Sequence, residues 1–151
     1  MIVDDIFGED EQKRLVEAIA KAELNTSGEI RVHLEDHCKE DVLDHAAFIF
    51  KALEMHKTEL RNGVLIYLAA IDKKFAILGD AGINKLVGAD FWDSTKEMMK
   101  SRFIENQLLE GIEAGILAVG EQLKVHFPYQ SDDRNELSNE ISMGDLNKSK
   151  F

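Results

Sequence analysis

Asn62-Gly63-Val64-Leu65-Ile66-Tyr67-Leu68-Ala69-Ala70-Ile71-Asp72-Lys73-Lys74-Phe75-Ala76-Ile77-Leu78-Gly79 decides the fold. Asn62-Gly63 punctuates the chain, and Val64 to Ile71 then runs apolar without a break, the mark of a strand covered on both faces. Asp72-Lys73-Lys74 is a short polar break, after which Phe75 to Leu78 is apolar again. A connection this short permits only an antiparallel hairpin. Gly79-Asp80-Ala81-Gly82 closes the returning strand.

Upstream, Glu29 to Glu35 alternates: Ile30, Val32 and Leu34 face one way, Arg31, His33 and Glu35 the other. That pattern predicts a half-buried strand. It is preceded by an amphipathic helix over 9–24, with Leu15, Ile19 and Ala22 at i, i+4 and i+7, stopped by Asn25-Thr26-Ser27-Gly28. A second helix over 41–55 joins the first two strands. Its apolar stripe is Val42, Ala46, Ile49, Phe50 and Leu53, with Asp41 as N-cap. Strands joined through a helix run parallel with a right-handed crossover.

Downstream, Asp90 is the expected cap of a third helix reaching about Phe103. A fourth helix runs from about Leu108 to Val125 on Ile112, Ile116, Val119 and Leu123. Gly111 and Gly115 lie on one side of it. Glycines there cost helix stability, so close packing against another backbone is expected. The order α-β-α-β-β-α-α gives an α/β fold, a three-layer α/β/α sandwich around a small mixed sheet. One domain is expected over residues 1–128. Residues 129–151 read as a polar, mobile tail able to dock one short piece.

The 151 residues suffice for one domain with a real core. The net charge of -11 repels phosphate backbones and anionic lipid headgroups, so nucleic acid and membrane surfaces are excluded as first partners, and cations or a basic protein partner are favoured. Cys38 is the single cysteine, which rules out an intramolecular disulfide and a cysteine-based zinc site within one chain. The acidic start lacks the basic segment and apolar run of a secretory signal, and Val64 to Ile71 is too short to span a bilayer. A cytoplasmic monomer without membrane insertion is expected.

The topology also places carboxylates. The first strand starts at Glu29, the second near Asn62-Gly63, and the antiparallel third ends near Gly79-Asp80, all at one end of the sheet. The third helix begins soon after, so Asp93 is expected to reach the same region. Glu35, Asp36 and Asp72 collect at the opposite end, with Lys73 and Lys74 beside Asp72 to neutralise them. Hard cations such as calcium take several oxygens at about 2.3–2.6 Å. The Glu29–Asp80–Asp93 pole is therefore the expected metal site, and the Asp36–Asp72 pole the second choice. No EF-hand loop, His-Glu-x-x-His or P-loop pattern occurs. Each carboxylate also has a structural reading: Glu29 as a solvated first strand residue, Asp80 as an Asx turn, Asp93 as an acid favouring a helix N-terminus. The five histidines are expected to be solvated or capping, and Cys38 an incidental thiol.

Thr26-Ser27-Gly28-Glu29-Ile30-Arg31-Val32, Asn62-Gly63-Val64-Leu65-Ile66, Asp72-Lys73-Lys74, the Gly79 to Gly82 turn, Phe91-Trp92, Glu110-Gly111-Ile112 and Phe127-Pro128 form an ordered series over about Phe7 to Pro128. This series resembles the TPM domain family of thylakoid-lumen photosystem II repair proteins and small bacterial proteins. The resemblance implies an α/β sandwich of Rossmann-like topology and divalent-cation binding, with calcium first and magnesium among the candidates. It also implies an interaction or accessory role, with metal-dependent acid phosphatase activity on phosphate monoesters as the alternative. Glu29 and Asp72 match acidic positions of the family motifs. At the turn many members have Gly-x-Gly-Leu-Glu; here Asn84 stands where that Glu falls and Asp80 is an added carboxylate.

Overall fold

The computed structural model describes residues 2–130 and 135–146. Helices α1 (Ile2–Ile6) and α2 (Glu9–Glu23) lead into strand β1 (Glu29–Glu35). Helix α3 (Val42–Ala52), a 3-10 turn (Met55–Lys57), strands β2 (Gly63–Ala69) and β3 (Lys74–Gly79), and helices α4 (Ala81–Asn84), α5 (Asp93–Ile104) and α6 (Leu108–His126) follow, with strand β4 (Ser142–Met143) last. Among the described residues these strands form one sheet in the order β3-β2-β1-β4.

The hairpin and the crossover both form as the sequence dictates. β2 pairs antiparallel with β3, Val64 opposite Gly79 and Ala69 opposite Lys74. β1 pairs parallel with β2, Glu29 opposite Gly63 and Glu35 opposite Ala69. Ile30, Val32 and Leu34 face one core with Val64, Ile66 and Leu68, closed by α2, α5 and α6. Leu65, Tyr67 and Ala69 face a second core, closed by α3. The chain is thus a three-layer α/β/α sandwich around a mixed sheet. Asp41 caps α3 as expected, its carboxylate accepting the N–H groups of Leu43 and Asp44 at 3.0 Å.

The structure departs from the sequence reading in three places. β1 is buried on both faces, because α3 covers the side that carries His33 and Glu35; both side chains are buried. α5 starts at Asp93, and Asp90 stands outside it in the preceding turn, its carbonyl accepting the N–H of Asp93. The glycines of α6 admit side chains of α5: a Cβ at Gly115 would lie 2.5 Å from Met99 Sδ, and one at Gly111 2.5 Å from Phe103 Cε1. The close approach to backbone occurs one turn further on, where a Cβ at Gly120 would lie 3.2 Å from Ala22 Cα. Within the segment read as a tail able to dock one short piece, β4 lies on the outer edge of β1. Ser142 pairs with His33 and Met143 with Leu34, and the Gly144 N–H donates to the Leu34 carbonyl at 2.9 Å.

Candidate functional site

The end of the sheet where β1 begins is built from the Thr-Ser-Gly-Glu stretch. Thr26 and Pro128 form an isolated bridge. The Thr26 hydroxyl donates to the Phe127 carbonyl and accepts the Gly28 N–H at 3.0 Å. Gly28 packs closely on α6: a Cβ there would lie 2.8 Å from Leu123 Cδ1, so Leu123 would have to shift. Asn62 donates its side-chain amide to the Ser27 carbonyl at 3.2 Å, tying this loop to the start of β2. These short motifs therefore serve the fold before any chemistry.

Glu29 lies at the floor of this end, 3% exposed, and its carboxylate accepts the Leu137 N–H at 2.7 Å. Glu23, in the last turn of α2, accepts the Ile30 N–H at 3.0 Å. Both line a pocket of about 150 Å³ together with Thr26, Ser27, Tyr129 and Asn135. Burial pushes the Glu23 carboxyl up to about 7; the Ile30 N–H opposes this, the Glu29 charge adds to it, and nearby Asn139 opposes it again. Glu residues from two different elements thus line one small pocket. Sequence reasoning missed Glu23 because a Glu in the last turn of an amphipathic helix reads as solvated.

The other carboxylates expected here are placed differently. Asp80 is at the same end of the sheet, its N–H donating to the Gly63 carbonyl at 3.0 Å. Its carboxylate is held by Arg61 through two bonds of 2.8 Å and accepts the Ala81 N–H at 2.7 Å as the cap of α4. Asp93 sits on α5, across the sheet from Glu29's face, with its side chain 64% exposed and Lys96 Nζ at 3.6 Å. The expectation that Glu29, Asp80 and Asp93 converge therefore gives way to a Glu23–Glu29 pair. At the opposite end Asp36 accepts the N–H groups of Val3 at 2.7 Å and Ile2 at 3.2 Å, holding the start of α1. Asp72 accepts the Cys38 N–H at 2.7 Å and lies 3.0 Å from His37 Nδ1. His37, then the Cys38 N–H, hold its carboxyl below the usual range, with Lys74 adding to the effect. Among the described residues no three His, Cys, Asp or Glu side chains converge in a metal-ligand group.

The likeness carried by the short motifs extends over most of the chain. A family model described as the TPM domain matches residues 2–122. The chain belongs to the TPM domain family. The solution structure of BA42 protein, from the psychrophilic bacterium Bizionia argentinensis, superposes with a TM-score of 0.84 at 48% identity, covering 89% of this chain and 93% of that one. No curated protein matches the sequence. Among the described residues of this TPM domain no helix is long and apolar enough to cross a membrane.

Beneath α3 the domain holds a second polar group that the sequence concealed. The Glu35 carboxylate accepts the Tyr67 hydroxyl and lies 2.6 Å from His45 Nε2 and 3.7 Å from His33 Nε2. His45 Nδ1 lies 3.0 Å from Glu40, and His33 Nδ1 2.7 Å from the Ser142 hydroxyl on β4. Burial pushes the Glu35 carboxyl up, but nearby His33, the Tyr67 hydroxyl and the charges of His33 and His45 outweigh it, and the net shift is downward. The same burial and the Glu35 charge raise the Tyr67 hydroxyl above its ordinary value, so Tyr67 stays a donor. His33 and His45 were expected to be solvated or capping; here His45 hydrogen-bonds the buried Glu35 carboxylate, while His33 Nε2 is buried beside it without a hydrogen-bond partner. Cys38 is buried as well, its thiol 3.3 Å from the Glu40 carbonyl.

Proposed function

We propose that this TPM domain binds a divalent cation, calcium first and magnesium second, at the Glu23–Glu29 pocket, and that it serves as an interaction or accessory module. The observation that carries this reading is the pair of carboxylates sharing one small pocket. Burial first, with the Glu29 charge adding to it, keeps Glu23 protonated up to about pH 7. A cation beside Glu23 would favour its ionised form. Glu23, Glu29, Thr26, Ser27 and Asn135, which line the pocket, carry oxygen-bearing side chains. Hard cations match such a set, whereas zinc and copper favour nitrogen and sulfur.

Size favours an ion over an ester. Pockets that take small organic ligands hold roughly 300–1,000 Å³, and this one holds about 150 Å³. Arg61, the cation best placed at this end to clamp a phosphoryl group, is committed to Asp80. With only two carboxylates the site is expected to be weak, in the range of about 10⁻⁴–10⁻³ M for calcium.

Calcium titration tests this directly. Calcium at a hundredfold excess over its Kd stabilises the folded chain by about 2.7 kcal/mol, so the melting temperature rises, and amide resonances around Glu23 and Glu29 shift. Glu23→Gln is expected to weaken the response at least severalfold. An unchanged melting temperature with no shifted amides at this pocket would sink the proposal.

A further inference from the structure

Both ring nitrogens of His45 lie against carboxylates: Nε2 is 2.6 Å from Glu35 and Nδ1 3.0 Å from Glu40. The three residues belong to three consecutive pieces of chain. Glu35 ends β1, Glu40 lies in the loop that follows, and His45 sits in the first turn of α3, its N–H donating to the Asp41 carbonyl at 3.0 Å. The His45 side chain is 14% exposed and packs edge-on to Tyr67, with ring centres 5.4 Å apart. A neutral imidazole has one N–H and one acceptor nitrogen, and an ionised carboxylate only accepts. Neutral His45 would therefore turn a lone pair to one of these two acceptors. The imidazolium meets both with an N–H.

We propose that His45 stands as an imidazolium between Glu35 and Glu40, and that this proton-dependent clamp seats α3 on the sheet. The surrounding groups fit that charge. β1 supplies Glu35 and, 3.7 Å from the other Glu35 oxygen, His33; β2 supplies Tyr67, whose hydroxyl donates to Glu35. Lys74 on β3 donates to the Cys38 carbonyl at 3.1 Å, and His37 lies 3.0 Å from Asp72. On the helix's own first turn, Asp41 accepts the N–H groups of Leu43 and Asp44. Removing one proton opens one side of the clamp. The bond to Glu35 is the shorter, and Glu35 is 4% exposed. A buried acceptor left unmet costs more than an exposed one, so the proton leaves from Nδ1. Its lone pair then faces Glu40, and a bond between loop and helix becomes a repulsion. The clamp is complete on the acid side of the histidine's titration and opens as pH rises.

Nitrogen-15 spectra of the histidine rings, together with amide hydrogen exchange, read this on the full chain. At about pH 6 both His45 nitrogens are expected to carry protons. As pH rises, Nδ1 is expected to lose its proton. Protection of the His45 amide, corrected for the intrinsic pH dependence of exchange, is expected to fall about tenfold with it, while Ile116 in α6 keeps its protection. Glu40→Gln keeps an acceptor oxygen and removes the charge, at a side chain that is 37% exposed. In that variant the His45 ring is expected to titrate at lower pH than in the parent. A single N–H on His45 at about pH 6 overturns the clamp. So does a His45 amide whose protection stays constant through the ring's titration, and so does a Glu40→Gln chain in which His45 titrates with the parent.

Discussion

The carboxylate of Glu29, the first residue of β1, accepts the backbone N–H of Leu137 at 2.7 Å, joining two positions 108 residues apart. Both partners are buried. A buried N–H left without an acceptor costs about 1–3 kcal/mol. Glu29→Leu should therefore destabilise the chain by about that amount in urea unfolding. Glu29→Gln keeps an acceptor oxygen and should cost under about 1 kcal/mol, yet lose most of the calcium response. Equal losses in the two variants would mean that the charge, rather than the hydrogen bond, holds Leu137.

Asp80 and Asp93 separate the two readings of this pole. Asp80→Ala removes both bonds to Arg61 and the cap of α4. Arg61 is half exposed, so solvent screens the pair, and the expected loss is about 1–2 kcal/mol. Asp93→Asn should change stability by less than about 0.5 kcal/mol. Neither should alter the calcium midpoint by more than about twofold, because neither lines the pocket. A large loss of calcium affinity in Asp93→Asn would restore the ligand set expected from sequence.

Glu23 makes stability depend on pH in a definite direction. Its carboxyl is raised from 4.5 to about 7 in the folded chain, so between those values the native state holds a proton that the unfolded state has released. The contribution is complete below pH 4.5 and is lost as pH rises through about 7. Allowing for partial exposure, the fall is about 1–3 kcal/mol. Chemical unfolding of the parent and Glu23→Gln across pH 4.5–8 should show that slope in the parent only. Saturating calcium should flatten it.

Two glycines predict different costs for the same methyl group. At Gly115 a Cβ meets the thioether of Met99, a flexible chain end that can turn aside. Alanine gains about 1 kcal/mol in helix propensity there, against about 1–3 kcal/mol of overpacking, so the net loss is small. At Gly82 a Cβ would lie 2.2 Å from the Leu60 carbonyl oxygen and 2.6 Å from that of Arg61. Backbone cannot yield so cheaply, and Gly82 also donates its N–H to Arg61. Gly82→Ala is expected to lower the melting temperature far more than Gly115→Ala, by differential scanning calorimetry.

The central hairpin was legible because its signals are local. The apolar run from Val64 and the polar break at Asp72 fix strand, turn and partner together, and the helix at Val42–Ala52 makes β1 and β2 parallel. Those facts place Glu29 and Asp80 at one end of the sheet. Which way a carboxylate turns is not local. Arg61 captures Asp80 from 19 positions away, and Glu23 reaches its pocket only because α2 ends where β1 begins. His33 and Glu35 read as outward-facing because alternation shows two faces but not which of them a helix will cover. β4 carries no periodic signal at all, since two residues pairing through backbone need no particular side chains.

The position of that two-residue strand has a bearing on association between molecules. Ile30, Val32 and Leu34 turn backbone groups outward from the sheet; Glu23 occupies the N–H of Ile30, and Gly144 the carbonyl of Leu34. A β-branched, apolar strand with a bare rim is a template for joining other chains edge to edge. A carboxylate at one end and a two-residue strand at the other occupy part of that rim, which leaves β1 less open to edge-to-edge pairing.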